Sequence, residues 1–269
     1  MTNLAKRVLT AAVLIPILVA SAYCPRPDGV WTLVFLFTLA GLDEFFRMTL
    51  PDASRREHLF AVGAGGVFAA TLFWCPDREA PLLLLAGTVM IALAARLTSG
   101  RELREAAGRT GITLLGILYV GLLLTPLALL RLLPSGNGWV ALALGMTFLN
   151  DTAAYFAGRF LGRHKLHPRI SPGKTVEGAI GGVLGAVAAA AIVKVFFLPQ
   201  IGWGGCFVLG VPAGALGQVG DLCESMIKRG AGIKDSGHVL PGHGGVLDRI
   251  DGLLFVVPYV YVYARWTGG

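Results

Sequence analysis

Asp221, Glu224, Ser225 and Lys228 recur at i, i+3, i+4 and i+7, the spacing that lays four side chains along one face of a helix. Further on, Asp248 and Asp251 stand three apart, where another helix is expected to begin. A helix N-terminus favours anions, and carboxylates there can hold a cation that in turn bridges phosphate oxygens. Two carboxylate stations on separate helices, set among Lys and Arg, suit metal-assisted phosphoryl or nucleotidyl transfer. Hard oxygen ligands hold Mg2+, and cationic side chains offset charge on the leaving group.

A second polar segment, "GRFLGRHKLHPRISPGKTVEGAIGG", points the same way. Ser171, Lys174 and Thr175 stand just before an expected helix start, with Glu177 in its first turn, so with free backbone N–H groups they could cradle phosphate. An ordinary N-cap is the plainer alternative. "SPGKT" is not a P-loop: that motif needs Gly where Pro168 stands, and no strand is expected ahead of it. His164, His167, His238 and His243 lack zinc-ligand spacing, and the four cysteines form no CxxC. Only His243, between "PG" and "GG", is kept as a candidate phosphate contact.

The elements that must carry these residues are membrane helices. Of the 269 residues, 55% are hydrophobic and 14% charged, and the mean hydropathy is +0.68, far from a soluble domain with about 25% charged residues. Apolar blocks predict nine spans, at about 8–24, 30–48, 58–75, 81–97, 111–131, 138–158, 177–198, 203–222 and 247–266. The fold class is therefore all-α, a polytopic integral membrane protein in one domain: N-terminal helices over 1–135 and catalytic helices over 136–269. Residues 1–24 also resemble a cleaved leader, but a retained span is the preferred reading.

Sorting the 23 Lys and Arg by these spans puts 18 on the N-terminal side and in the even-numbered loops. By the positive-inside rule the N-terminus and the long loops 159–176 and 223–246 face the cytoplasm. The net charge of +7 is then mostly a property of that face, and no nucleic-acid partner is expected. An aspartate at the centre of a membrane helix costs about 2.5–3.5 kcal/mol, so those retained need a reason. Asp43, Glu44, Asp151 and Asp221 all fall in the cytoplasmic halves of their spans. Pairing with nearby bases accounts for Asp43 and competes evenly with a supporting role for Glu44 and Asp151. The small residues of "GAIGGVLGAVAAAA" permit close helix packing. Cys24 and Cys75 both fall at outer span ends, where free thiols are preferred over a bridge.

The run "SMIKRGAGIKDSGHVLPGHGGVLDRID" resembles the signature of the phosphatidate cytidylyltransferases, or CDP-diacylglycerol synthases. The match is carried by Ser225, Lys228, Arg229, Lys234, Asp235, Gly237, Leu240, Pro241, His243, Gly244, Gly245, Asp248, Arg249 and Asp251. "NDTAAYFAGRFLGRHKL" and "ISPGKTVEG" also look like that family; over the first half the likeness is only general. The resemblance implies transfer of CMP from CTP to phosphatidate in a bacterial inner membrane, with Mg2+ or another divalent cation and pyrophosphate as second product. It further implies metal at Asp221 and Asp248, a catalytic Lys228, and nucleotide or phosphate contacts among Arg229, Lys234, Asp235, His243, Arg249 and Ser225. Glu44, Asp151, Glu177, Glu224 and Asp251 are supporting candidates, and pairing into a homodimer is allowed. A CTP-dependent lipid kinase and a membrane transporter are the alternatives.

Overall fold

A computed structural model describes residues 28–75, 79–97, 103–237 and 244–268, together with single positions at 16, 20, 21 and 239. The elements in order are α1 (Asp28–Thr49), α2 (Arg55–Trp74), α3 (Glu79–Leu97), α4 (Leu103–Gly116), a π-helical stretch (Ile117–Leu122), α5 (Pro126–Leu130), α6 (Gly136–Leu161), β1 (Lys165–His167), β2 (Ser171–Thr175), α7 (Val176–Phe196), α8 (Trp203–Gly230) and α9 (Leu247–Trp266). Six helical runs among the described residues are long and apolar enough to cross a membrane. The chain is an all-α multi-pass membrane protein. Each expected span from the second onward coincides with helix, while the first, 8–24, and Cys24 lie outside the described residues.

Two helices overrun their expected bounds by about two turns, for one physical reason. α4 begins at Leu103 and α8 runs to Gly230, and the added turns carry charged groups that lower hydropathy but find partners. In α4, Arg109 binds Asp52 at 3.0 Å and Glu57 at 3.1 Å, tying α4 to α2 and to the turn before it. In α8 the extra turns hold Glu224 and Lys228 as an ion pair.

The tightest packing joins α6, α7 and α8. A Cβ added to Gly185 would stand 2.5 Å from the carbonyl oxygen of Leu149, and one on Gly214 would stand 2.8 Å from the Cα of Val183. Small residues thus let backbones touch where side chains otherwise hold helices 8–10 Å apart. One polar bolt runs through this packing. Asn150, fully buried, donates to the Gly214 carbonyl at 3.1 Å and accepts from Gln218 at 3.2 Å, while Gln218 also donates to the Ala179 carbonyl at 2.8 Å. Each of these three helices therefore satisfies the others' buried polar groups, which lipid could not do.

The expectation that no strand precedes "SPGKT" is corrected. β1 and β2 form an antiparallel hairpin, Lys165 opposite Thr175 and His167 opposite Ser171. Three- and five-residue strands with a bulge carry too little alternation to be seen in sequence. The segment still makes no P-loop, because Gly173, Lys174 and Thr175 are themselves part of the paired β2.

Candidate active site

α6, the hairpin, α7, α8 and α9 enclose one cavity of about 590 Å³ at the end of the bundle where the hairpin lies. Asp151 enters from α6, Asp221 from α8, and Asp248 and Asp251 from α9. The hairpin contributes Ser171, Lys174 and Thr175, and α9 adds Arg249. Residues expected from separate helices to share a site are thus brought together.

Lysines hold the two principal carboxylates. Lys174 Nζ lies 2.6 Å from Asp221 Oδ2, and Ser225 donates to Asp221 Oδ1 at 3.3 Å. Lys228 Nζ donates to Asp248 Oδ1 at 2.5 Å and is also paired with Glu224, which has no exposed surface. Lys228 therefore stands behind Asp248 and does not itself line the cavity. The other Asp248 oxygen accepts from the backbone of Gly245 at 2.9 Å and of Ser236 at 3.1 Å. Asp248 is fixed by three donors, two of them backbone groups in the loop before α9.

Glu44 is neither free nor in the cavity. Its carboxylate, 2% exposed, accepts from the backbone of Val246 and Leu247, each at 2.9 Å, and from the Ser236 hydroxyl at 3.0 Å. Glu44 thus closes the orphan N–H groups that every helix start presents, here from a different helix. Glu177 does the same for a nearby turn, accepting from the backbone of Arg163 at 3.0 Å and of His164 at 3.2 Å, and pairing with the His164 ring at 2.5 Å. It secures the entry to the hairpin. Thr175 caps α7 by accepting from Gly178 at 3.1 Å, so the plain N-cap reading holds for its hydroxyl.

Besides Lys228, the expected contacts Ser225, Arg229, Lys234 and Asp235 do not line the cavity. Arg229 turns to the backbone carbonyls of Ile233, at 3.1 Å, and Ile170, at 3.5 Å. Lys234 and Asp235 are exposed in the loop after α8. His243 lies outside the described residues. Asp43 is taken up by Arg47 and His58, at 2.8 Å each, as its pairing reading expected.

Sequence reasoning missed Tyr155, Arg159 and Gln218, all of which line the cavity. The signal was present: Asp151, Ala154, Tyr155, Gly158 and Arg159 recur at i, i+3, i+4, i+7 and i+8, one face of α6. Ser236 was missed as well, since its two partners come from α1 and α9.

Helices of spanning length around a pocket of aspartates and phosphate-suited cations define a membrane-embedded transferase type of site. The profile of the Cytidylyltransferase family matches residues 5–267, and the chain belongs to that family. It is similar to the phosphatidate cytidylyltransferase of Brucella suis biovar 1 (strain 1330), 37% identical over 270 residues that cover 98% of this chain and 94% of that protein. The phosphatidate cytidylyltransferase of Staphylococcus saprophyticus subsp. saprophyticus is 34% identical over 189 residues, 70% of each chain. That of Bacillus subtilis (strain 168) is 40% identical over 152 residues, 56% of each.

Proposed function

We infer that this chain transfers CMP from CTP to phosphatidate, giving CDP-diacylglycerol and pyrophosphate in phospholipid biosynthesis. The observation that carries the inference is the meeting of Asp151, Asp221, Asp248 and Asp251 with Lys174 and Arg249 in one cavity of a chain that belongs to the family throughout its length. The relatives lend no support to a lipid kinase or a transporter. The enzyme is read as a multi-pass protein of a bacterial inner membrane, its cavity opening to the cytoplasm, on the strength of the 18 of 23 basic residues on that side. Pairing into a homodimer is compatible with this reading and forms no part of its support.

The chemistry of the donor set fits a divalent cation. Four aspartates line the cavity against Lys174, Arg159 and Arg249, so the lining is formally negative before two phosphate-bearing anions enter. Some further cation must offset that charge. No three His, Cys, Asp or Glu side chains among the described residues converge as a ready-made cage. Mg2+ takes one or two carboxylates and completes its shell with water and substrate phosphate. Asp221 and Asp248 would hold it, and when bound it would neutralise phosphate charge and align the reacting groups.

The remaining work belongs to the chain. A phosphatidate oxygen, already ionised, forms a bond to the α-phosphorus of CTP as the bond to the pyrophosphate oxygen breaks, so no general base is needed. Lys174 and Arg249 face the cavity where the departing charge can be met, and Lys228 keeps Asp248 aimed. The phosphatidate enters laterally between helices from the inner leaflet. Purified protein in nanodiscs with CTP, phosphatidate and MgCl2 is expected to release pyrophosphate and form CDP-diacylglycerol, and Asp221→Asn or Asp248→Asn to stop both in a folded protein. CDP in place of pyrophosphate would establish the kinase instead.

A further inference from the structure

Of the cations that line the cavity, Lys174 is bound to Asp221, whereas Arg159 has no carboxylate partner among the described residues. Its one side-chain bond runs from Nη1 to the Tyr155 hydroxyl, at 2.8 Å. A guanidinium has five donors in a planar fork, so this bond orients the group and leaves an edge for a bidentate partner. Arg159 sits in the last turn of α6, and Asp151 lies two turns deeper, about 12 Å along the axis at 1.5 Å per residue.

The same helix end is laid out for lipid. Phe156, Phe160 and Leu161 are 51%, 73% and 66% exposed, and the two phenyl rings stack within 5° of parallel. Tyr155, 58% exposed, carries the amphipathic ring that favours the head-group level of a bilayer. One helix terminus therefore presents an apolar face for acyl chains beside an unneutralised cation at the cavity mouth. A phosphate tethered to two acyl chains is confined to that depth, while a water-soluble nucleotide is not.

We propose that Arg159, oriented by Tyr155, is the specificity-determining group that reads the phosphate monoester of the incoming lipid at the lateral mouth of the cavity. The proposal rests on the function inferred above. A nucleotide phosphate shares the chemistry, so the test separates the two sources.

Steady-state kinetics in nanodiscs supply one arm. Arg159→Met is expected to raise KM for phosphatidate about 10- to 100-fold, the worth of a charge-assisted contact. KM for CTP should stay within about twofold. Arg159→Lys, which keeps charge and loses the fork, should fall between, and Tyr155→Phe should act in the same direction more weakly. Calorimetric titration of dioctanoyl phosphatidate into detergent-solubilised protein, with neither CTP nor metal, supplies the other. There Arg159→Met should weaken binding by a similar factor, with inorganic phosphate binding no more tightly to the wild type than to the variant. Unchanged dioctanoyl phosphatidate affinity in a folded Arg159→Met protein overturns the proposal, as does a rise in KM for CTP equal to that for the lipid. A wild type that binds the lipid through Arg159 yet releases no pyrophosphate would refute the inferred reaction and leave this site standing.

Discussion

Glu44 accepts the backbone N–H of Leu247 at 2.9 Å across 203 positions of sequence. With Val246 and Ser236 bound to the same carboxylate, α1 supplies the cap that α9 lacks locally, since Val246 at the N-cap offers no side-chain acceptor. The cavity-lining Asp248 and Asp251 sit in the turns so capped. Glu44→Ala strips the acceptors from two buried N–H groups, a cost on the order of 3 kcal/mol, and loosens the start of α9. A lower unfolding midpoint and a fall of at least about tenfold in pyrophosphate release are expected. A variant with wild-type melting and wild-type turnover would show that Glu44 does not position the site.

Lys228 stands between Glu224 and Asp248, all three with little or no exposed surface. Lys228→Met leaves two carboxylates facing each other without a cation, and breaking a buried pair in this way costs about 3–5 kcal/mol. The double variant Lys228→Met with Glu224→Gln removes one of the stranded charges and should recover part of the loss. Thermal unfolding in detergent distinguishes the two. Equal destabilisation of the single and double variants would mean that Glu224 is not part of the charge balance.

The acids of the cavity are legible in the sequence because charge in a membrane helix is costly enough to demand a function. Of the four acids this cost marked, Asp151 and Asp221 reach the cavity while Asp43 and Glu44 do not, and Asp248 and Asp251, marked by their spacing at a helix start, reach it too. What periodicity reveals, however, is the face a residue shares with its own helix. It says nothing of which neighbour that face meets, so Glu44 could be marked as unusual but not as the cap of a helix two hundred residues away. Arg159 was hidden differently: read as one more cytoplasmic base by the charge count, it is set apart by its place on the cavity lining, which the fold alone reveals. The hairpin was unreadable for want of length, and with it the reach of Lys174 to Asp221.

Gly182 offers a test of the polar bolt under the cavity. A Cβ there would collide with Asn150 Oδ1 and stand 2.7 Å from Gln218 Nε2, forcing apart the bond between the two amides. Gly182→Ala should destabilise by about 1–3 kcal/mol, the usual range for overpacking, and displace Gln218 from the cavity wall. Gly204, in the first turn of α8 with nothing within 4 Å of a built Cβ, is the matched control. There the same substitution is expected to be neutral or slightly stabilising, because alanine loses less backbone freedom in a helix. Similar melting shifts for both variants would remove the bolt from the account of stability.

The orientation inferred from charge can be checked with thiols. Cys75 is an exposed free cysteine at the C-terminal end of α2, on the side that the positive-inside count places away from the cytoplasm. Lys234 is exposed in the loop after α8, on the opposite side. A chain keeping only Cys75 should react with a membrane-impermeant maleimide in spheroplasts. A cysteine-free chain carrying Lys234→Cys should react only once the membrane is opened. Aspartates at the cavity would then receive a nucleotide made in the cytoplasm without any transport step. Labelling in the reverse order would turn the cavity outward, where no pool of CTP is available to it, and the inferred reaction would fail with the topology.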